Sequence, residues 1–155
     1  MSLPGAELAE LLRATLAKGL PVRFRAKGFS MSPFIKDGDL ITLAPLTDRS
    51  PRLGDVIAFT QKGTGKLTVH RVVRIKGDTY LIKGDNTSGA EGLESKESIL
   101  GLVKSLERND MRVSLGFGPE RFVIALLSRK ELLPPLIHCV WRLRHPLRKI
   151  GMISL

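Results

Sequence analysis

The sequence predicts a mainly β protein, an irregular β-barrel or sandwich core flanked by helices at both ends. Three observations predict it. Apolar and polar residues alternate with period two in Val22-Arg23-Phe24-Arg25-Ala26, the pattern of a half-buried strand. Short runs rich in β-branched or large apolar residues then recur through the middle of the chain, separated by turn signals such as Lys36-Asp37-Gly38-Asp39 and Lys76-Gly77-Asp78. The two ends instead carry apolar residues at helical spacing.

The first helix is expected over residues 4–18. Leu8, Leu11, Leu12 and Leu16 share a face there, and Gly19 stops it. Strands are expected at 22–26, 40–43, 55–60, 67–75, 79–83, 99–106 and 111–115, which together suit a small closed or folded-over sheet. A helix with Pro119 in its first turn follows. Pro134-Pro135 then breaks the pattern before a basic helix from about Leu136 to Ile150. The expected organisation is an N-terminal amphipathic helix over 1–19, a β catalytic domain over 20–115 and a basic helical extension over 116–155.

Composition narrows the function. Hydrophobic residues make up 43%, enough for a core, while aromatics are only 5%, a poor supply of base-stacking platforms. The formal net charge is +10, and it is concentrated at the end of the chain. From Pro119 to Leu155 seven basic residues face two acidic ones, Glu120 and Glu131. Such a tail suits an anionic membrane surface or nucleic acid. No motif supports the second, so no specific nucleic acid is expected. The segments 122–127 and 132–141 are apolar but short for spanning a bilayer. They are expected to lie in its interface, with Trp141 at headgroup level and Arg142, Arg144, Arg148 and Lys149 meeting lipid. Residues 1–19 lack the uninterrupted apolar stretch of a signal peptide. A peripheral membrane or cytoplasmic location is therefore expected. Cys139 stands alone, and His70, His138 and His145 are scattered, so neither a disulfide, a metal nor a cofactor is expected.

Chemistry concentrates in four segments. Ser30 lies on a turn in Gly28-Phe29-Ser30-Met31-Ser32-Pro33, where its hydroxyl can meet a carbonyl. Serine needs a base to act as a nucleophile near neutral pH, and His70 in Thr68-Val69-His70-Arg71-Val72 is the candidate, held rigidly in a strand. A third group would fix the imidazole tautomer, and Asp85 in Lys83-Gly84-Asp85-Asn86 follows directly on a strand.

In order and spacing these segments resemble signal peptidase I and its relatives, which share a fold with the self-cleaving repressor proteases. Gly28–Pro33 looks like their Ser-Met-x-Pro box. Gly38-Asp39 and Gly54-Asp55 are similar to the Gly-Asp strand starts that follow it. His70-Arg71-Val72 takes the place of the Lys-Arg-Val box, and Lys83–Asn86 that of the Gly-Asp-Asn box. Histidine at the lysine position resembles the archaeal and endoplasmic-reticulum type. The resemblance implies a signal-peptidase-like β core and hydrolysis of a peptide or preprotein substrate through an acyl-enzyme on Ser30. His70 would be the base and Asp85 would orient it. Gly28 stands where relatives often carry a hydroxyl residue, and Glu91 where histidine-type members often have a second aspartate. A non-catalytic binding module on the same fold is the alternative.

Overall fold

A computed structural model describes residues 5–47, 49–89 and 92–144. Helix α1 (Gly5–Ala17) precedes eight strands: β1 (Val22–Arg25), β2 (Leu40–Pro45), β3 (Val56–Thr60), β4 (Leu67–Lys76), β5 (Thr79–Lys83), β6 (Leu93–Ser95), β7 (Ile99–Arg108) and β8 (Met111–Arg112). Helices α2 (Arg121–Arg129) and α3 (Leu133–Arg144) follow. Every strand pair is antiparallel, in the order β1-β2-β7-β3-β4-β5-β6 with β8 on β7. The sheet curls into a half-barrel, and the expected mainly β class holds.

The main core lies inside the curl. Ala9, Leu12 and Leu16 of α1 pack there with Ile41, Leu43, Val56, Ala58 and Leu106. Burying a leucine side chain such as Leu12 or Leu16 contributes roughly 1.5–3 kcal/mol. Leu11, expected on the same face, is instead 55% exposed, because the buried stripe runs through Ala9, Leu12 and Leu16. A second cluster, with Ile57, Phe59, Val72 and Ile82, fills the other side of the sheet. A third joins α2 and α3 to Phe34 through Ile124 and Leu133.

Several boundaries differ from expectation for local reasons. Strand β6 was not expected; three residues are too few to show a period. The strand expected at 111–115 is paired only at Met111–Arg112. Its hairpin with β7 turns through Asn109 and Asp110, both at positive φ, 51° and 60°, the geometry of a two-residue primed turn. Helix α3 begins at Leu133 rather than Leu136. Its two prolines fall in the first turn, where a missing N–H breaks no helical bond. The expected continuation to Ile150, with His145, Arg148 and Lys149, lies outside the described residues.

Strand β4 positions the site. Its first half pairs with β3 from Leu67 to Arg71, and β5 joins its other side only from Arg71 onward. The pairing with β5 shifts register between Val72 and Arg74, marking a bulge at that point. Among the described residues, Leu67–His70 therefore has a strand on one side only. Strand β1 is likewise an edge, paired with β2 alone.

Candidate active site

Ser30 sits on a compact turn after β1. The amides of Phe34 and Ile35 donate to the Met31 carbonyl at 3.1 and 3.0 Å, and Gly28 N–H donates to Asp37 Oδ1 at 2.8 Å. Met31, Phe34 and Ile35 are buried and pin the turn to the core, leaving Phe29 70% exposed and Ser30 half-buried. From the other side Asn86 clamps the same turn. Its backbone N–H donates to the Ser30 carbonyl at 2.8 Å, and its side-chain amide reaches the Phe29 carbonyl at 3.4 Å.

His70 comes from the unflanked half of β4. Its Nε2 lies 3.0 Å from Ser30 Oγ, so in the tautomer with a bare Nε2 the serine hydroxyl donates to it. The imidazole is buried and tilts against the Phe59 ring at 6.1 Å between centroids. Both residues open onto one cleft of about 390 Å³. Phe24, Arg25 and Ala26 beside β1 form one wall, and Leu67, Thr68 and Val69 form the other. The two strand edges thus bracket the serine.

Asp85 has another partner than the one expected. Arg71 Nε donates to Asp85 Oδ1 at 2.9 Å and Arg71 Nη2 to Oδ2 at 2.7 Å, with both side chains fully buried. Arg71 Nη1 also donates to the carbonyls of Gly54 and Gly116, at 2.9 and 2.8 Å. The Phe34 ring covers the guanidinium at 5.4 Å. The reason lies in the strand itself: consecutive residues point to opposite faces. His70 faces the cleft, so Arg71 faces away from it and takes the aspartate.

The two Gly-Asp segments brace turns. Asp39 accepts from Arg108 Nε and Nη2 at 2.8 and 2.7 Å and from the Lys36 amide at 2.7 Å. Asp55 accepts from Arg49 and from the Arg52 amide. The family model for peptidase S24-like proteins matches residues 12–104, a span holding Ser30, His70 and Asp85. The chain belongs to the peptidase S24-like family. That family includes serine peptidases and self-cleaving repressors. Among curated proteins none matches the chain.

Electrostatics in this S24-like site follow from burial. Burial, and secondarily the Lys66 charge, push His70 from 6.5 down to about 4, so the imidazole is neutral at neutral pH and able to accept a proton. Burial pushes the Asp85 carboxyl up, while the Arg71 fork and Lys83 pull it back. Burial also pushes Asp39 up, but the Arg108 and Lys36 contacts outweigh it and leave its carboxyl below the ordinary value. Among the described residues no group of side chains could hold a metal ion. Glu91 lies outside the described residues.

The sequence reading did not single out Gly84 as a site residue. A Cβ there would stand 2.8 Å from the Ser30 carbonyl oxygen and 3.0 Å from His70 Nε2. Only glycine lets the loop after β5 approach both Ser30 and His70 this closely. The signal was present in the sequence as the Gly of Lys83-Gly84-Asp85-Asn86, but close approach is visible only in three dimensions.

Proposed function

We propose that this S24-like domain is a serine endopeptidase of the histidine type, acting in the manner of signal peptidases on an extended peptide or preprotein segment. The observation that carries the reading is the 3.0 Å contact between Ser30 Oγ and His70 Nε2 on the floor of an open cleft. Ser30 attacks the scissile carbonyl as its proton passes to Nε2. The imidazolium then gives that proton to the leaving amine as the C–N bond breaks, leaving an ester on Ser30. Water attacks the ester with His70 again as base, and the new carboxyl end departs while Ser30 regains its proton. The Ser30 backbone amide is one donor for the developing oxyanion.

The cleft walls favour an extended substrate. Among the described residues the strand edges on both sides have no second strand partner, and a peptide can add to them as a further strand.

The test is incubation of the full chain with a diverse synthetic peptide mixture, with new termini read by mass spectrometry. Ser30→Ala and His70→Ala are each expected to remove nearly all cleavage, by about 10³-fold or more, and the double variant to be little worse, since the pair acts as a unit. Cleavage by Ser30→Ala at the wild-type rate overturns the nucleophile. Peptides retained but uncut by the wild type favour the non-catalytic binding module instead.

A further inference from the structure

Helix α3 carries one apolar stripe, Leu133, Leu136, Ile137 and Val140 at i, i+3, i+4 and i+7, of which the body of the protein covers only part. Leu133 and Ile137 look inward, packed with Phe34, Ile124 and Leu127. Leu136, Val140 and Leu143, spaced i, i+4 and i+7 along the outer edge of that stripe, are 48%, 52% and 68% exposed. Helix α2, joined to α3 through that inward cluster, exposes Phe122, Val123 and Leu126 as well. An apolar surface of this extent marks a place where something docks.

The charge pattern says what. Arg129, Lys130 and Arg142 are exposed. Glu131, the single acid between Arg121 and Arg144, is directed at the body of the protein. Its Oε1 lies 3.8 Å from Lys83 Nζ and accepts from the Gly89 amide at 3.2 Å. The remaining chain, 145–155, adds Arg148 and Lys149 and no acid. Aliphatic side chains bordered by cations fit the boundary between acyl chains and anionic headgroups. A second copy fits poorly, since face-to-face pairing would bring like charges together. Twelve residues at 1.5 Å each give α3 about 18 Å, well short of the ~30 Å hydrocarbon layer. Among the described residues no helix is long and apolar enough to cross a membrane.

We infer that the outer faces of α2 and α3 form a docking surface for an anionic lipid bilayer, on which α3 lies in the plane of the interface. The inference does not depend on the peptidase reading and is testable on the Ser30→Ala chain. Full-length protein is sedimented with vesicles of phosphatidylcholine alone and of phosphatidylcholine with phosphatidylglycerol. The expected result is sedimentation with the anionic vesicles at low salt, at least tenfold weaker with the neutral ones. Leu136→Asp/Val140→Asp and Arg129→Glu/Lys130→Glu are each expected to leave the thermal melt in place and to lose that binding. Protein that stays in the supernatant with anionic vesicles overturns the inference. So does binding unchanged by the aspartate pair, or a dimer in light scattering that the aspartate pair dissociates.

Discussion

Gly84 is the residue on which the pairing of serine and histidine most directly depends after the two themselves. Gly84→Ala would place a methyl group within 3.0 Å of both the Ser30 carbonyl and His70 Nε2. Both neighbours are held, the Ser30 carbonyl by Asn86 and His70 by burial in a strand, so the methyl group must displace one of them. A displacement of about 1 Å at a reacting group can cost on the order of 10²-fold in rate. The expected outcome is a fall in kcat/KM of about that size, with the protein still folded at moderate temperature. Wild-type cleavage by Gly84→Ala would show that the contact is looser than 3.0 Å during turnover.

At the scale of elements, Arg71 and Asp85 tie β4 to the loop after β5, and Arg71 extends the tie to the turns at Gly54 and Gly116. Asp85→Asn leaves a fully buried guanidinium without its counterion, a change that typically costs 3–5 kcal/mol. A drop in Tm of roughly 10 °C is expected for a chain of this size. Below that Tm, the pH profile of cleavage should match the wild type. An unchanged Tm with a shifted pH profile would mean that Asp85 acts on His70 after all. The sequence showed the strands and the boxes because period-two patterning and Gly-Asp turns are local properties. It did not show Asp85's partner, because His70 and Arg71 are both chemically suitable and lie side by side. Strand alternation allows only one of the two to share a face with the aspartate, and which one depends on the fold. For the same reason Leu11 was misplaced: its leucine spacing is helical, but the core selects the stripe through Ala9, Leu12 and Leu16.

For the whole molecule, a buried neutral histidine makes stability depend on acid. The folded-state value of His70 is about 4 against an ordinary 6.5. Between those values the unfolded chain binds a proton that the folded chain does not, so stability falls as pH is lowered through that window and levels off beneath it. The full penalty is about 3 kcal/mol. Asp39 acts in the same direction at lower pH, since its depressed carboxyl stabilises the fold above its ordinary value and ceases to do so on protonation. Thermal melts of the wild type and His70→Gln from pH 7 to pH 4 isolate the histidine. The wild type should lose more Tm across that range than the variant. Parallel curves would mean that burial does not hold His70 below its ordinary value. The neighbouring positions of His70 and Arg71 have one more consequence, for strand alignment. If β4 slipped by one residue against β3, the guanidinium would swing into the cleft and the imidazole into the slot beside Asp85. Such a chain would lose its buried ion pair, several kcal/mol at once, and would not persist in a folded form. The buried ion pair thus sets the register of β4, since a one-residue slip forfeits it.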